Sequence, residues 1–251
     1  MANIIRLGSL YLNDCPAEIG LAYKPGKTIS IGETAPGKEI HWVVVNDMLI
    51  ADRCILTEVS WDDLNAQNLV FGKEVTISGF RFTARLIQVG AEEGAPNEWD
   101  SALDAVGEDN SLWHWEDMFF WGQEAATGTA SSRARRGYYS ARYYTYNSSS
   151  SRTVLVGFRP ALVPLASDTL WPSSKAMWWL SEKVMWDDAH LDEKLMLWGG
   201  QNIIFGRLEE LTDYEVILSD RGGAMSNDFG SRLGNGRIVI DRAAISGIQR
   251  I

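Results

Sequence analysis

Two cysteines, three histidines and 33 acidic side chains are the obvious carriers of chemistry in this sequence. A reactive thiol needs a depressed pKa, and a structural metal site needs thiols at short, fixed spacing. Cys15 and Cys54 stand far apart with no CxxC spacing, so they read as free thiols, with a single bridge as the alternative. His41, His114 and His190 are scattered and read as ordinary surface or core residues. Asp187–Asp188 and Asp192–Glu193 offer oxygens that suit a cation, but a solvated acidic turn accounts for them. No GxSxG, HExxH, P-loop or dinucleotide fingerprint occurs, and the carboxylates show no spacing that selects a catalytic pair. The expectation is a protein that is not an enzyme, with no catalytic residue, no cofactor and no metal.

The remaining chemistry is recognition. The segment AATGTASSRARRGYYSARYYTYNSSSSRT, from Ala125 to Thr153, has neither a helical stripe nor strict alternation and reads as loop or irregular strand. Tyr gives large amphipathic contact at little entropic cost, and Ser and Asn adapt their hydrogen bonds, which is why such residues dominate variable binding surfaces. From Ala125 to Leu155 there is no Lys, Glu, Gln, Met or Trp, although all five occur elsewhere in the chain. Randomising the adenines of an AAY codon excludes these same five residue types, together with stop codons. The interleaving of Arg with aromatic rings also suits the stacking of single-stranded bases, which makes nucleic-acid binding a rival reading. A net charge of −10 counts against it.

An ordered set of segments carries more information: SLWHWEDMFFWGQ, then RARRGYYSAR, then Arg152, then VGFRPAL. Together they resemble the closing half of the formylglycine-generating-enzyme-like branch of the C-type lectin fold. Leu112–Trp113–His114–Trp115–Glu116 stands for that branch's Trp-rich segment, Arg136–Gly137–Tyr138 for its "RGGSW" segment and Gly157–Phe158–Arg159 for its terminal "GFR". The resemblance implies Trp113, Trp115, Phe158 and Arg159 buried beneath a loop region, with Arg142, Arg152 and Arg159 as scaffold. Oxidases of that branch use cysteines late in the domain, and none follows Cys54 here. An oxidase relative is therefore the alternative and a binding protein the main reading. RGYYSAR, the Ser/Tyr/Asn run and VGFRPAL are similar to the variable repeat of diversity-generating retroelements, whose variable proteins place adenine-templated residues on one binding face. That likeness assigns the ligand surface to Tyr139, Tyr143, Tyr144, Tyr146, Asn147, Ser148, Ser149, Ser150, Ser151, Thr153 and Leu155.

The elements that must position these residues are mostly extended. IIRLGSLYL, KTISIGE and IHWVVVNDMLIADRCILTEV are separated by turns at Pro25–Gly26 and Pro36–Gly37, and KEVTISG with FRFTARLIQVG forms a hairpin around Ser78–Gly79. Ser60 with Asp62–Asp63 caps one helical turn, and Asn97 leads a short helix with Trp99, Leu103 and Val106 at helical spacing. Eleven Trp and 23 Gly beside seven Pro suit a loop-rich protein with an aromatic core. With the resemblance, the expected class is α+β, a C-type-lectin-like fold with few short helices, short antiparallel strands and long irregular loops. Residues 1–165 would be that domain, with the variable region at about 122–162, and 166–251 a C-terminal extension packed on it or completing it. No signal peptide or membrane span is evident, so a soluble protein displayed on a virion or cell surface through a partner is expected. Its partner is expected to be a protein or cell-surface receptor ahead of a sugar, since the APN at Ala95–Asn97 lacks the Glu that precedes it in the lectin tripeptide.

Overall fold

The computed structural model describes residues 2–166, 192–212 and 214–251; the KAMWWLSEKVMW stretch, Asp187–Asp188 and His190 lie outside them. The chain divides into two compact units. The first holds Arg6–Val43 and Leu49–Val163, the second Ala2–Ile5, Val44–Met48 and Pro164–Ile251.

The expected α+β class is corrected: strands make up 51% and helix 9%, in curled sheets, so the protein is β-rich. Its helices stop almost as soon as they are capped. α1 (Trp61–Asn65) starts with a full capping box between Ser60 and Asp63, and the chain leaves it through left-handed Asn68. α2 (Glu98–Val106) starts at Asn97, whose side chain accepts from the Asp100 N–H, and ends at Gly107 with φ 89°. α3 (Asn110–Trp113) is closed at once by left-handed His114. The stretch after Ala125, expected to be irregular, instead forms paired strands.

In the first part of the chain the strands are β1 (Asn3–Leu12), β2 (Cys15–Pro16), β3 (Leu21–Ala22), β4 (Ile29–Gly32), β5 (Glu39–Val45), β6 (Met48–Ala51) and β7 (Leu56–Thr57). They are followed by β8 (Lys73–Ile77), β9 (Phe80–Leu86), β10 (Phe119–Ala126), β11 (Thr129–Gly137), β12 (Tyr144–Ser148), β13 (Val156–Phe158) and β14 (Pro160–Pro164). One sheet runs β2-β1-β5-β6-β14-β9-β8 with β4 paired to β1. The β8–β9 turn uses Ser78 and Gly79, both at positive φ, as a tight hairpin requires. The sheet that carries the Tyr- and Ser-rich segment runs β12-β11-β10-β13-β7-β3, which leaves β12 at its edge.

Trp42, Trp99, Trp113, Trp121, Phe80, Phe82, Phe120 and Phe158 are among the largest fully buried side chains, and Arg136 and Arg159 lie among them. Each of the four indoles also donates to a backbone carbonyl, of Leu7, Ala141, Gly107 and Val59 respectively. A buried Trp stabilises through its area only when that N–H finds such an acceptor. Trp115 departs from expectation: it is only half-buried, its Nε1 donating to the Glu108 carbonyl 2.8 Å away near the surface. Left-handed His114 turns the chain between the two rings, so Trp113 points into the core and Trp115 does not.

In the second unit, β15 (Lys194–Gly199), β16 (Asn202–Leu211), β17 (Glu215–Ala224), β18 (Gly230–Arg232), β19 (Arg237–Asp241) and β20 (Gly247–Arg250) form a sheet in the order β18-β19-β17-β16-β15-β20. Alternating apolar positions give it one buried cluster, including Leu195, Leu197, Ile204, Leu218, Phe229, Ile240 and Ile248. Asp192 and Glu193 are partnered by Arg207 and Arg250, both at 3.5 Å.

Candidate recognition surface

The surface is built on a β10–β11–β12 ladder in which Phe119, Phe120 and Trp121 face Gly137, Arg136 and Arg135, while Arg136, Arg135, Ala134, Arg133 and Ser132 face Tyr144, Thr145, Tyr146, Asn147 and Ser148. Side chains alternate across a strand, so β11 sends Ala134 and Arg136 to one side and Arg133 and Arg135 to the other. Ala134 and Arg136 are buried, and Arg133 and Arg135 are half-buried.

Arg136 ties the loop that follows it. Its guanidinium donates to the Val89 carbonyl, to the Arg142 carbonyl at 2.6 Å and to the Asp100 carboxylate at 2.9 Å. Trp99 holds the same loop by donating to the Ala141 carbonyl at 2.8 Å. Gly137, at φ 101°, is needed here because a Cβ would run into the Met118 carbonyl. The other arginines expected to be scaffold are also tied. Arg142 donates to Asp104 at 2.6 Å and Glu108 at 3.0 Å, and these carboxylates hold its guanidinium above the ordinary range. Arg152 grips Asp63 with two bonds of 2.7 and 2.8 Å. Burial pushes the Asp63 carboxyl up, but Arg152 and Ser60 together outweigh that and hold it below the usual carboxylate range. Arg159 is fully buried, donates to the Trp113 carbonyl at 2.5 Å and lies over the Phe120 ring at 4.6 Å.

On this frame Tyr139, Tyr143, Tyr146, Ser148, Ser150, Thr153 and Leu155 are exposed, and Tyr144, Asn147, Ser149 and Ser151 are half-buried. The strand divides them. Tyr144 and Tyr146 lie on the Arg136 side, where the Tyr144 hydroxyl donates to the Ala91 carbonyl at 2.5 Å and its ring lies 5.3 Å from the Arg136 guanidinium. Tyr143, Asn147 and Ser149 lie on the Arg133 and Arg135 side. There a ladder of rings runs from Phe119 to Tyr138 (4.8 Å, stacked), to Tyr139 (4.7 Å, edge-on) and to Tyr143 (4.9 Å, edge-on). Asn147 donates to the Ser151 hydroxyl at 3.1 Å, and the Ser149 hydroxyl donates to Asp62 at 3.1 Å.

Three features lay beyond sequence reasoning. The guanidiniums of half-buried Arg133 and Arg135 lie over the Trp61 and Phe119 rings, 4.1 and 4.0 Å from their centroids. His41 and His114, far apart in sequence, meet at the carboxylate of Asp52, 3.9 and 3.7 Å away, beside Arg53. Cys54 is buried against Gly157, and burial pushes its thiol up to about 11 despite the pull of Arg159. None of these contacts has a local sequence signature, because each joins residues brought together only by the sheet. Asn97, weighed above as part of a sugar motif, is the cap of α2 and donates to the Ala95 carbonyl at 2.7 Å. Among the described residues no cluster of three or more His, Cys, Asp or Glu is placed to hold a metal, and no helix is long and apolar enough to cross a membrane. No family model matches the chain, and no curated protein or solved structure matches it.

Proposed function

We propose that this chain is a non-enzymatic ligand-binding protein, the variable protein of a diversity-generating retroelement, which recognises a protein or cell-surface receptor through the segment from Tyr139 to Leu155. One observation carries this reading. The side chains that belong to the family-like segments are tied down, Arg136, Arg142, Arg152 and Arg159 all being bonded to carbonyls or carboxylates. The eleven positions assigned to the ligand surface are exposed or half-exposed, and none of them is buried. On this reading stability and recognition rest mainly on different side chains, with Tyr144 and Ser149 serving both. Surface substitutions away from special features usually change stability by no more than about 0.5 kcal/mol, so such positions tolerate exchange.

The test is genetic. The DNA near the gene should hold a nearly identical copy of the stretch that encodes roughly residues 122–162, with a reverse transcriptase gene beside it. Mismatches between the copies should fall at template adenines and map to the positions from Tyr139 to Leu155 named above. A complete genome with neither the copy nor the reverse transcriptase would sink the proposal.

A further inference from the structure

From Ala125 to Leu155 the chain contains no carboxylate and five arginines, in a protein whose net charge is −10. Three of the five are neutralised: Arg136 by Asp100, Arg142 by Asp104 and Glu108, and Arg152 by Asp63. The other two, Arg133 and Arg135, have no ion pair among the described residues. Among the described residues Arg133 donates only to the carbonyls of Ala130 and Ser132. Arg135 makes no hydrogen bond at all among the described residues; its guanidinium lies on the Phe119 ring, and its Nε is shielded from solvent without a partner. Desolvation lowers its affinity for a proton, with only Tyr143 opposing.

Arg133 and Arg135 stand on one side of β11, with Cα atoms about 7 Å apart along the strand. They share that side with Tyr143 and Asn147 and with the Tyr138–Tyr139–Tyr143 ring ladder. Asp62, which accepts from Ser149, is the carboxylate that the contacts bring to this side. On the opposite side, with Tyr144 and Tyr146, burial and then Arg136, itself paired to Asp100, act most on Tyr144, with Glu124 and Glu92 adding negative charge. The two arginines of the segment that lack an ion pair among the described residues therefore share one side. A half-desolvated guanidinium held over an aromatic ring keeps its remaining terminal N–H groups pre-oriented for an anion. The Arg133 Nη1 already serves two carbonyls and both Nε atoms are shielded, which leaves the outer nitrogens.

We infer that the Arg133 and Arg135 side of β12 is a fixed anchor for an acidic segment of a protein partner, whose carboxylates bridge the two guanidiniums while the neighbouring variable side chains read the rest. The inference rests on the reading of the segment as a recognition surface and adds what the partner must present. Both arginines precede the eleven variable positions, so the anchor stays while they change. A few carboxylates on a partner chain match two charges; a nucleic acid strand, with its dense phosphates, meets the repulsion of the whole acidic molecule as well.

The experiment uses the full chain and a short fluorescein-labelled polyglutamate peptide, read by anisotropy at low ionic strength, with a short oligothymidylate and a polylysine peptide in parallel. Polyglutamate should bind, and binding should weaken as salt screens it. The double variant Arg133→Gln, Arg135→Gln should bind about tenfold more weakly, while Tyr146→Ala on the other side leaves binding within about twofold. Arg135→Gln alone, which leaves the Arg133 contact with Trp61 intact, should give a smaller loss with an unchanged melting temperature. Absence of polyglutamate binding, equal binding by the double variant, or tighter binding of the oligothymidylate would overturn the inference. The diversified-surface proposal would survive any of these results, because the template copy in the genome decides it separately.

Discussion

Replacing Trp113 with Ala tests the division of labour between core and surface most directly, with Trp115→Ala as its control. Trp113 is fully buried, packs edge-on against Trp99 at 4.9 Å, and donates through Nε1 to the Gly107 carbonyl at 2.8 Å. Truncating such a ring costs about 3–5 kcal/mol through lost transfer energy and an unfilled cavity. The Gly107 carbonyl, which loses its donor, adds roughly 1 kcal/mol if water cannot replace it. Against a total of about 5–15 kcal/mol for a whole domain, that is a large fraction. Trp115 is half-buried, and its carbonyl partner lies near solvent, so its truncation should cost only about 1–2 kcal/mol. Urea titration followed by far-ultraviolet circular dichroism, read at the first unfolding transition, gives both numbers without relying on the fluorescence of the deleted ring. If Trp113→Ala cost less than Trp115→Ala, or if both were nearly neutral, the account of the aromatic core as the support of the Tyr- and Ser-rich segment would be wrong.

Two further outcomes follow from the titratable groups. Asp63 has a folded-state pKa below its unfolded value of about 3.9, so its contribution is complete above that value and is lost as pH falls through the folded one. Asp63→Asn should therefore melt lower than the parent at neutral pH, with the gap closing below about pH 4, and a constant gap across an acid titration of melting temperatures would refute it. Cys15 is exposed, whereas the Cys54 thiol is buried and pushed up to about 11, so iodoacetamide at pH 8 should alkylate the first in the native protein and the second only after denaturant is added. Equal native rates by intact mass spectrometry would show that Cys54 is accessible.

Much of the local architecture was legible because it rests on short-range rules. Ser60 and Asn97 cap helices since their side chains reach backbone N–H groups two or three residues on, and Ser78–Gly79 turns a hairpin since both residues tolerate positive φ. The class was misjudged for a reason of the same kind. A strand such as β11, with Thr, Ser, Arg and Gly among its residues, has no alternation to betray it, because one of its sides covers a core with Ala134 and the stem of Arg136 while the other presents arginines that themselves lie over rings. Trp115 was grouped with Trp113 because a Trp-rich segment does not disclose that the intervening histidine turns left-handed. The meeting of His41, Asp52 and His114 was invisible because it depends on which strands become neighbours.

Placement of β12 at the sheet edge explains how one segment can be both exposed and well ordered. An edge strand has a neighbour on one side only, which leaves its side chains less covered, and in β12 alternate residues on both faces stay at least half-exposed. That position carries the risk of unspecific pairing, and the chain meets it by bracing the strand at both ends. Before it, Arg136 and Trp99 hold the carbonyls of Arg142 and Ala141; after it, Asp62 N–H donates to the Ser149 carbonyl and Arg152 grips Asp63 on α1. The braces fall on backbone atoms or on residues outside the eleven positions proposed to vary, so they would survive exchange of the side chains between them. Two side chains of the proposed set are exceptions: the Tyr144 hydroxyl bonds to the Ala91 carbonyl while its ring meets the Arg136 guanidinium, and the Ser149 hydroxyl bonds to Asp62. Tolerance to exchange should therefore fall off toward Tyr144 and Ser149 and rise toward Tyr139, Tyr146 and the other serines, a gradient set by which side chains the frame itself uses rather than by distance from a ligand.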